Sequence, residues 1–130
     1  MRTGLVVDDS GVIRMVARRL LEAMGYAVEE AADGQQALAA CTERMPDLVL
    51  LDWEMPGMAG IDVLKALRAM PGGDAPKVVF CATLTDATRI GEAIAAGADE
   101  YVMKPFDGAI LGSKLALLGA LGGTEAPSLA

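Results

Sequence analysis

Leu48-Val49-Leu50-Leu51-Asp52-Trp53-Glu54-Met55-Pro56-Gly57 is the stretch on which the fold turns. Its first four residues are continuously apolar and read as a strand buried on both faces, the mark of a central strand in a parallel sheet. The run ends on a carboxylate, and Pro56-Gly57 then breaks the chain. Toward the N-terminus, Leu5-Val6-Val7 is another short apolar strand. A helical pattern follows from about Val12 to Met24, with Ile13, Val16, Ala17, Leu20, Leu21 and Met24 on one face and Arg14, Arg18 and Glu22 off it. Gly25 stops that helix. A second strand, Ala27 to Ala31, leads to Asp33-Gly34-Gln35-Gln36, a capping-box signature opening a helix that carries Leu38 and Cys41 inward.

Toward the C-terminus, a helix over about Ile61 to Met70 ends at the breaker Pro71-Gly72-Gly73, and Lys77-Val78-Val79-Phe80-Cys81 makes a fourth strand. A helix from about Asp86 to Ala96 is closed by Gly97. A fifth strand, Glu100 to Met103, precedes a last helix from about Gly108 to Leu118. Residues 1–120 are thus expected to form one domain, and 121–130, with Gly122-Gly123 and Ala126-Pro127-Ser128, a flexible tail.

Five alternating βα units predict an α/β fold, a doubly wound parallel sheet with helices on both faces. The first, third and fourth strands are continuously apolar, whereas the second carries Glu29-Glu30 and the fifth Glu100, as edges do. That ordering is 2-1-3-4-5, a flavodoxin-like sheet, in which a ligand crevice lies at the carboxyl ends of the strands where the first and third meet.

Composition narrows the chemistry. The chain has 130 residues, enough for one domain with a real core, and 11 basic against 18 acidic side chains give a net charge of -7. No basic surface is evident for a phosphate backbone, so direct nucleic-acid binding is not expected. There is no histidine, which removes histidine acid/base catalysis, Ser-His and Cys-His nucleophiles and His-ligated zinc. Cys41 and Cys81 form neither a CxxC motif nor a disulfide framework, and reduced thiols suit a cytoplasmic protein. No signal-peptide pattern opens the chain, and no apolar run reaches the ~18 residues of a membrane span.

Asp8-Asp9 follows the first strand, Asp52 ends the third, Thr83 lies past the fourth and Lys104 past the fifth. Taken alone, Asp8-Asp9 suits a helix cap or a solvated turn. Together with Asp52 it does not, because like charges ~4 Å apart repel by about 4 kcal/mol at an effective dielectric of 20. A bound divalent cation relieves that repulsion, and an all-oxygen ligand set beside a phosphoryl group suits Mg²⁺. Thr83 can also be read as merely β-compatible, Tyr101 as an edge-strand aromatic, and Met55, Met58 and Met70 as packing.

Asp8-Asp9-Ser10, the run Asp52-Trp53-Glu54-Met55-Pro56-Gly57-Met58-Ala59-Gly60, Thr83, Ala96-Gly97-Ala98, Tyr101 and Lys104-Pro105-Phe106 fall in order on the predicted strand ends, across residues 4 to about 118. In this the sequence resembles the receiver domains of two-component response regulators, most of all the stand-alone chemotaxis type. The resemblance implies that Asp52 is the phosphoacceptor, supplied by a phosphohistidine on a histidine kinase or phosphotransfer protein. It implies Mg²⁺ on Asp9, Asp52 and the backbone carbonyl of Glu54, with Asp8 acting largely through water. Lys104 and Thr83 would then contact the phosphoryl oxygens, and Lys104-Pro105 resembles the family's cis peptide. Tyr101 would respond on a docking face carrying Arg89, Ile90 and Ala93. Output would be docking to a downstream protein by a cytoplasmic monomer, since no output domain follows the last helix.

Three departures from the common pattern stand out. Ala59 replaces an acidic residue often found before Gly60, at little expected cost, while Glu54 and Leu84 bear on phosphoryl lifetime. Three other functions compete. An aspartyl-phosphate hydrolase would use Glu54 as its acid/base but needs a cap that no segment supplies. A flavin carrier would want a phosphate-cradling loop where this chain has carboxylates. A pseudo-receiver would not need Asp8, Asp9, Asp52, Thr83 and Lys104 all intact.

Overall fold

The computed structural model describes residues 2–83 and 89–119. Along the chain run β1 (Thr3–Val7), α1 (Gly11–Ala23), β2 (Ala27–Ala31), α2 (Gly34–Glu43), β3 (Leu48–Asp52), α3 (Gly60–Ala69), β4 (Lys77–Ala82), α4 (Ile90–Ala95), β5 (Glu100–Met103) and α5 (Gly108–Leu117). The sheet is parallel with order β2-β1-β3-β4-β5, the arrangement that the charged edge strands predict. Leu84, the expected start of the fourth helix at residues 86–88 and the expected tail at 121–130 lie outside the described residues.

The alternation of side chains along each strand divides the core in two. Leu5, Val7, Val49, Leu51, Val78 and Phe80 pack on one face with α2, α3 and Ala93 of α4. Val6, Leu48, Leu50, Val79, Cys81 and Val102 pack on the other, beneath α1 and α5. Because both faces are covered, the central strands contain almost nothing polar. Thr3 and Lys77 lie at their amino ends, and the buried exception is Asp52, the last residue of β3, where the strand leaves the core.

Helix α1 differs in detail from its predicted face. Ala17 and Leu21 are its buried residues, whereas Val16 is 44% exposed, as are Val12 and Met15 to similar or greater extent. At about 100° per residue, Val16 sits roughly 120° from the midpoint of Ala17 and Leu21, while Arg14 sits only about 40° from it. The true inward stripe is therefore rotated toward Arg14, which is half-buried. Asp33 caps α2 by accepting from Gln36 N at 2.8 Å, but the reciprocal bond is displaced by one residue, with Gln36 Oε1 accepting from Ala32 N.

Arg68 holds together the loops at the amino ends of β4 and β5. Its guanidinium donates to the carbonyls of Gly73, Pro76 and Gly97 and pairs with Asp99 at 3.0 Å. Among the described residues, no helix is long and apolar enough to cross a membrane. Both cysteines are free and buried; burial raises the Cys41 thiol and pushes Cys81 up to about 12. At pH 8 the Cys81 thiol is then held protonated by its burial. A thiol reagent such as DTNB is expected to leave the native protein unmodified while the urea-unfolded chain reacts at once; stoichiometric reaction of the native fold would contradict this burial.

Candidate phosphoacceptor site

The parallel sheet brings the carboxyl ends of β1, β3, β4 and β5 to one edge. Asp8 follows β1 by one residue and is buried, its amide donating to Ala31 O at 3.1 Å and its Oδ1 accepting from Ser10 N at 2.9 Å. Ser10 in turn caps α1, accepting from Ile13 N. Asp9 is exposed beside it. Asp52 is buried, and single carboxylate oxygens of Asp8, Asp9 and Asp52 all lie within 4.8 Å of one another.

Lys104 enters from the other side. Its Nζ donates to Asp8 Oδ2 at 2.8 Å and to Asp52 Oδ1 at 2.7 Å, with only 17% of its side chain exposed. The Lys104-Pro105 peptide is cis, as the resemblance implies. One ammonium thus pairs with two of the three clustered carboxylates. Burial raises the Asp52 pKa above its ordinary value, the Lys104 hydrogen bond and charge oppose this, and the charges of Asp8 and Asp9 add to it. Burial lowers Lys104, but its bonds to Asp52 and Asp8 outweigh that and leave it raised. The two shifts share a direction for different reasons, burial raising Asp52 first and the neighbouring carboxylates raising Lys104.

Gly60 accounts for the close seat of α3 under the site. Its amide donates to Trp53 O at 2.8 Å, and a Cβ there would lie 2.3 Å from the Asp52 carbonyl oxygen. Ala59 makes no side-chain cap; its carbonyl accepts from Asp62 N and Val63 N instead. A capping side chain at such a position typically contributes about 1 kcal/mol.

Trp53 packs edge-on against Phe80, with ring centroids 4.8 Å apart, and the Arg89 guanidinium lies 5.6 Å from its ring centre. The Glu54 carboxylate does not join the aspartates. It is 72% exposed and 3.7 Å from Arg89 Nη1, so it faces the start of α4 and not the site. Thr83 comes directly after β4 and is exposed. Tyr101, half-buried on β5, carries Lys114 Nζ 4.3 Å above its ring, and Lys114 also pairs with Glu100 at 3.4 Å. Met55, Met58 and Met70 pack against the core, as read from sequence. Ala93, expected on the docking face, is instead 1% exposed within the core; Ile90 is half-buried beside it, and Ile94 is the large apolar side chain of α4 that is exposed. Residues three apart on a helix share a side, and here that side meets the sheet.

The acid cluster, the bridging lysine and the strand order agree with what sequence comparison finds: residues 5–116 match the response regulator receiver domain. The chain belongs to that family. MtrA of Mycobacterium tuberculosis H37Rv, named a DNA-binding response regulator, is 42% identical over 102 residues, covering 78% of this chain and 43% of its own. The phosphate regulon transcriptional regulatory protein PhoB of Pseudomonas aeruginosa is 40% identical over 106 residues, covering 81% and 46%. The chain spans less than half the length of these curated relatives. Among solved structures, the chemotaxis response regulator CheY4 of Vibrio cholerae superposes with a TM-score of 0.83 at 34% identity, covering 93% of this chain and 99% of that one. The receiver domain of NtrX from Brucella abortus gives 0.81 at 30% identity, with coverage of 93% and 99%. Receiver domains are the phosphoacceptor signalling modules of two-component systems, which receive their phosphoryl group from histidine kinases and bind Mg²⁺ at an acidic pocket.

Proposed function

We propose that Asp52 accepts the phosphoryl group, and that Asp9, Asp52 and the Glu54 backbone carbonyl hold Mg²⁺, with Asp8 acting largely through water. The observation that carries this reading is the bridge of Lys104 to both Asp8 and Asp52 beside the exposed Asp9. The donor set fits a hard cation: it is all oxygen and carries more negative charge than Lys104 neutralises. Bound there, Mg²⁺ neutralises carboxylate charge and polarises phosphoryl oxygens. An Asp52 carboxylate oxygen forms the new bond to phosphorus as the bond to the donor imidazole nitrogen breaks. No base is required, because the nucleophile is already an anion. Lys104 contributes a mobile point charge to one phosphoryl oxygen, and the Thr83 hydroxyl donates to another.

The phosphoryl group adds about -1.5 to -2 charges, and Thr83 and Tyr101 pass that change to a docking face that includes Arg89 and Ile90. In this reading residues 1–120 are a single-domain regulator, a cytoplasmic monomer whose output is docking to a protein partner. The net charge of -7 supports a protein target over nucleic acid for this domain. The exposed Glu54 carboxylate, paired with Arg89, favours signalling over a hydrolase that would need it as acid/base. Incubation with acetyl phosphate and Mg²⁺ tests the assignment. One alkali-labile acyl phosphate is expected, on the peptide containing Asp52 and abolished by EDTA; a label elsewhere, or one indifferent to EDTA, would sink it.

A further inference from the structure

We propose that Arg14 is a positioning residue for the metal site, holding the Asp8–Asp9 peptide in the orientation that presents Asp9 to the cation, with Glu30 of the edge strand holding Arg14. The inference rests on the metal reading above and concerns residues outside the acid cluster. Arg14 Nη1 donates to the Asp8 carbonyl oxygen at 2.6 Å, while its Nε donates to Glu30 Oε1 at 3.1 Å. Only 19% of the Arg14 side chain is exposed. That carbonyl belongs to the peptide joining Asp8 to Asp9, so its direction sets where the Asp9 side chain starts. On the other side of Asp8, the amide is already fixed by Ala31 O of the same edge strand. Strand β2 therefore grips the acidic turn twice, once through its backbone and once through the Glu30–Arg14 pair.

Arg18 provides an internal comparison. It pairs with the same Glu30 at 3.0 Å and with Glu22 at 3.1 Å. It ties α1 to β2 as Arg14 does, but from a position one helical turn farther from the Asp8–Asp9 turn. A merely structural role predicts that the two arginines behave alike. A purely electrostatic role predicts that removing either positive charge tightens cation binding. Positioning alone predicts that loss of Arg14, and not of Arg18, weakens it. Groups that orient metal ligands typically account for 10–100-fold in metal affinity.

The test is calorimetric titration of the intact protein with Mg²⁺, alongside urea midpoints, for wild type, Arg14→Ala, Arg14→Lys and Arg18→Ala. Arg14→Ala is expected to weaken Mg²⁺ binding about tenfold. Arg18→Ala, with a comparable change in urea midpoint, should stay within about twofold of wild type. Arg14→Lys keeps the charge but has no planar fork with which to hold Asp8 O and Glu30 together, and should fall between. It also decides the matter should Arg14→Ala not fold. Unchanged or tighter binding in the Arg14 variants would overturn the inference, as would equal weakening by Arg18→Ala. Failure of wild type itself to bind Mg²⁺ would overturn the metal reading, and this inference with it.

Discussion

Asp52→Asn is expected to reduce phosphoryl uptake from acetyl phosphate by about 10³-fold or more, because the amide keeps the shape of the side chain but offers no anionic oxygen to phosphorus. The same variant should be more stable than wild type in metal-free buffer. Burial and the neighbouring charges of Asp8 and Asp9 raise the Asp52 pKa even against the pull of Lys104, so the ionised carboxylate is under net electrostatic strain in the folded state. Replacing it with a neutral group that can still accept from Lys104 should therefore raise the Tm in metal-free buffer. Loss of labelling together with a higher Tm separates a missing nucleophile from a damaged fold. Labelling at the wild-type rate would mean that another residue is the acceptor.

Lys104→Ala should have the opposite effect on stability. Asp8 and Asp52 are buried, and Lys104 lies against both at 2.8 and 2.7 Å, so its removal leaves two desolvated carboxylates without their counter-charge. Breaking a buried pair by removing one partner costs about 3 kcal/mol or more. That loss should appear in urea denaturation with EDTA and shrink when millimolar Mg²⁺ is added, by a larger margin than Mg²⁺ stabilises wild type. Lys104→Met, which retains most of the stem, should behave like Lys104→Ala if charge and not packing is responsible. A loss below about 1 kcal/mol, or an equal Mg²⁺ gain in wild type and variant, would show that the ammonium and the cation do not share these carboxylates.

The fold was legible because each strand declares its position through its own residues. Leu48 to Leu51 need apolar cover on both faces, whereas Glu29-Glu30 in β2 and Glu100 in β5 suit an edge. The aspartates and Lys104 were legible for a related reason: charged residues immediately after buried strands have nowhere to lie but the sheet's carboxyl edge. What the sequence hid were contacts whose acceptors are backbone. Arg14 looks like a solvent-facing helical residue until the Asp8 carbonyl is seen within its reach, and Arg68 has three loop carbonyls as its main partners. Side-chain pattern carries no trace of such acceptors. The exact roll of a helix is also poorly encoded when small residues do the packing, which is why Val16 and Ala93 exchanged their expected surroundings.

The long separations in the site have a kinetic consequence. Asp52 and Lys104 are 52 residues apart in the chain, and Asp8 and Lys104 are 96 apart. No hairpin shortens the path, since every strand pair is parallel. Contacts of this kind form slowly, after local helices and neighbouring βα units. The bridge of Lys104 to Asp8 and Asp52 is therefore completed only when β5 joins the sheet, whereas the carboxylates are crowded as soon as the neighbouring strands β1 and β3 pair. The bridge then acts mainly on the finished sheet. Its stabilisation appears as a longer lifetime of the folded state, leaving the rate of folding almost unchanged.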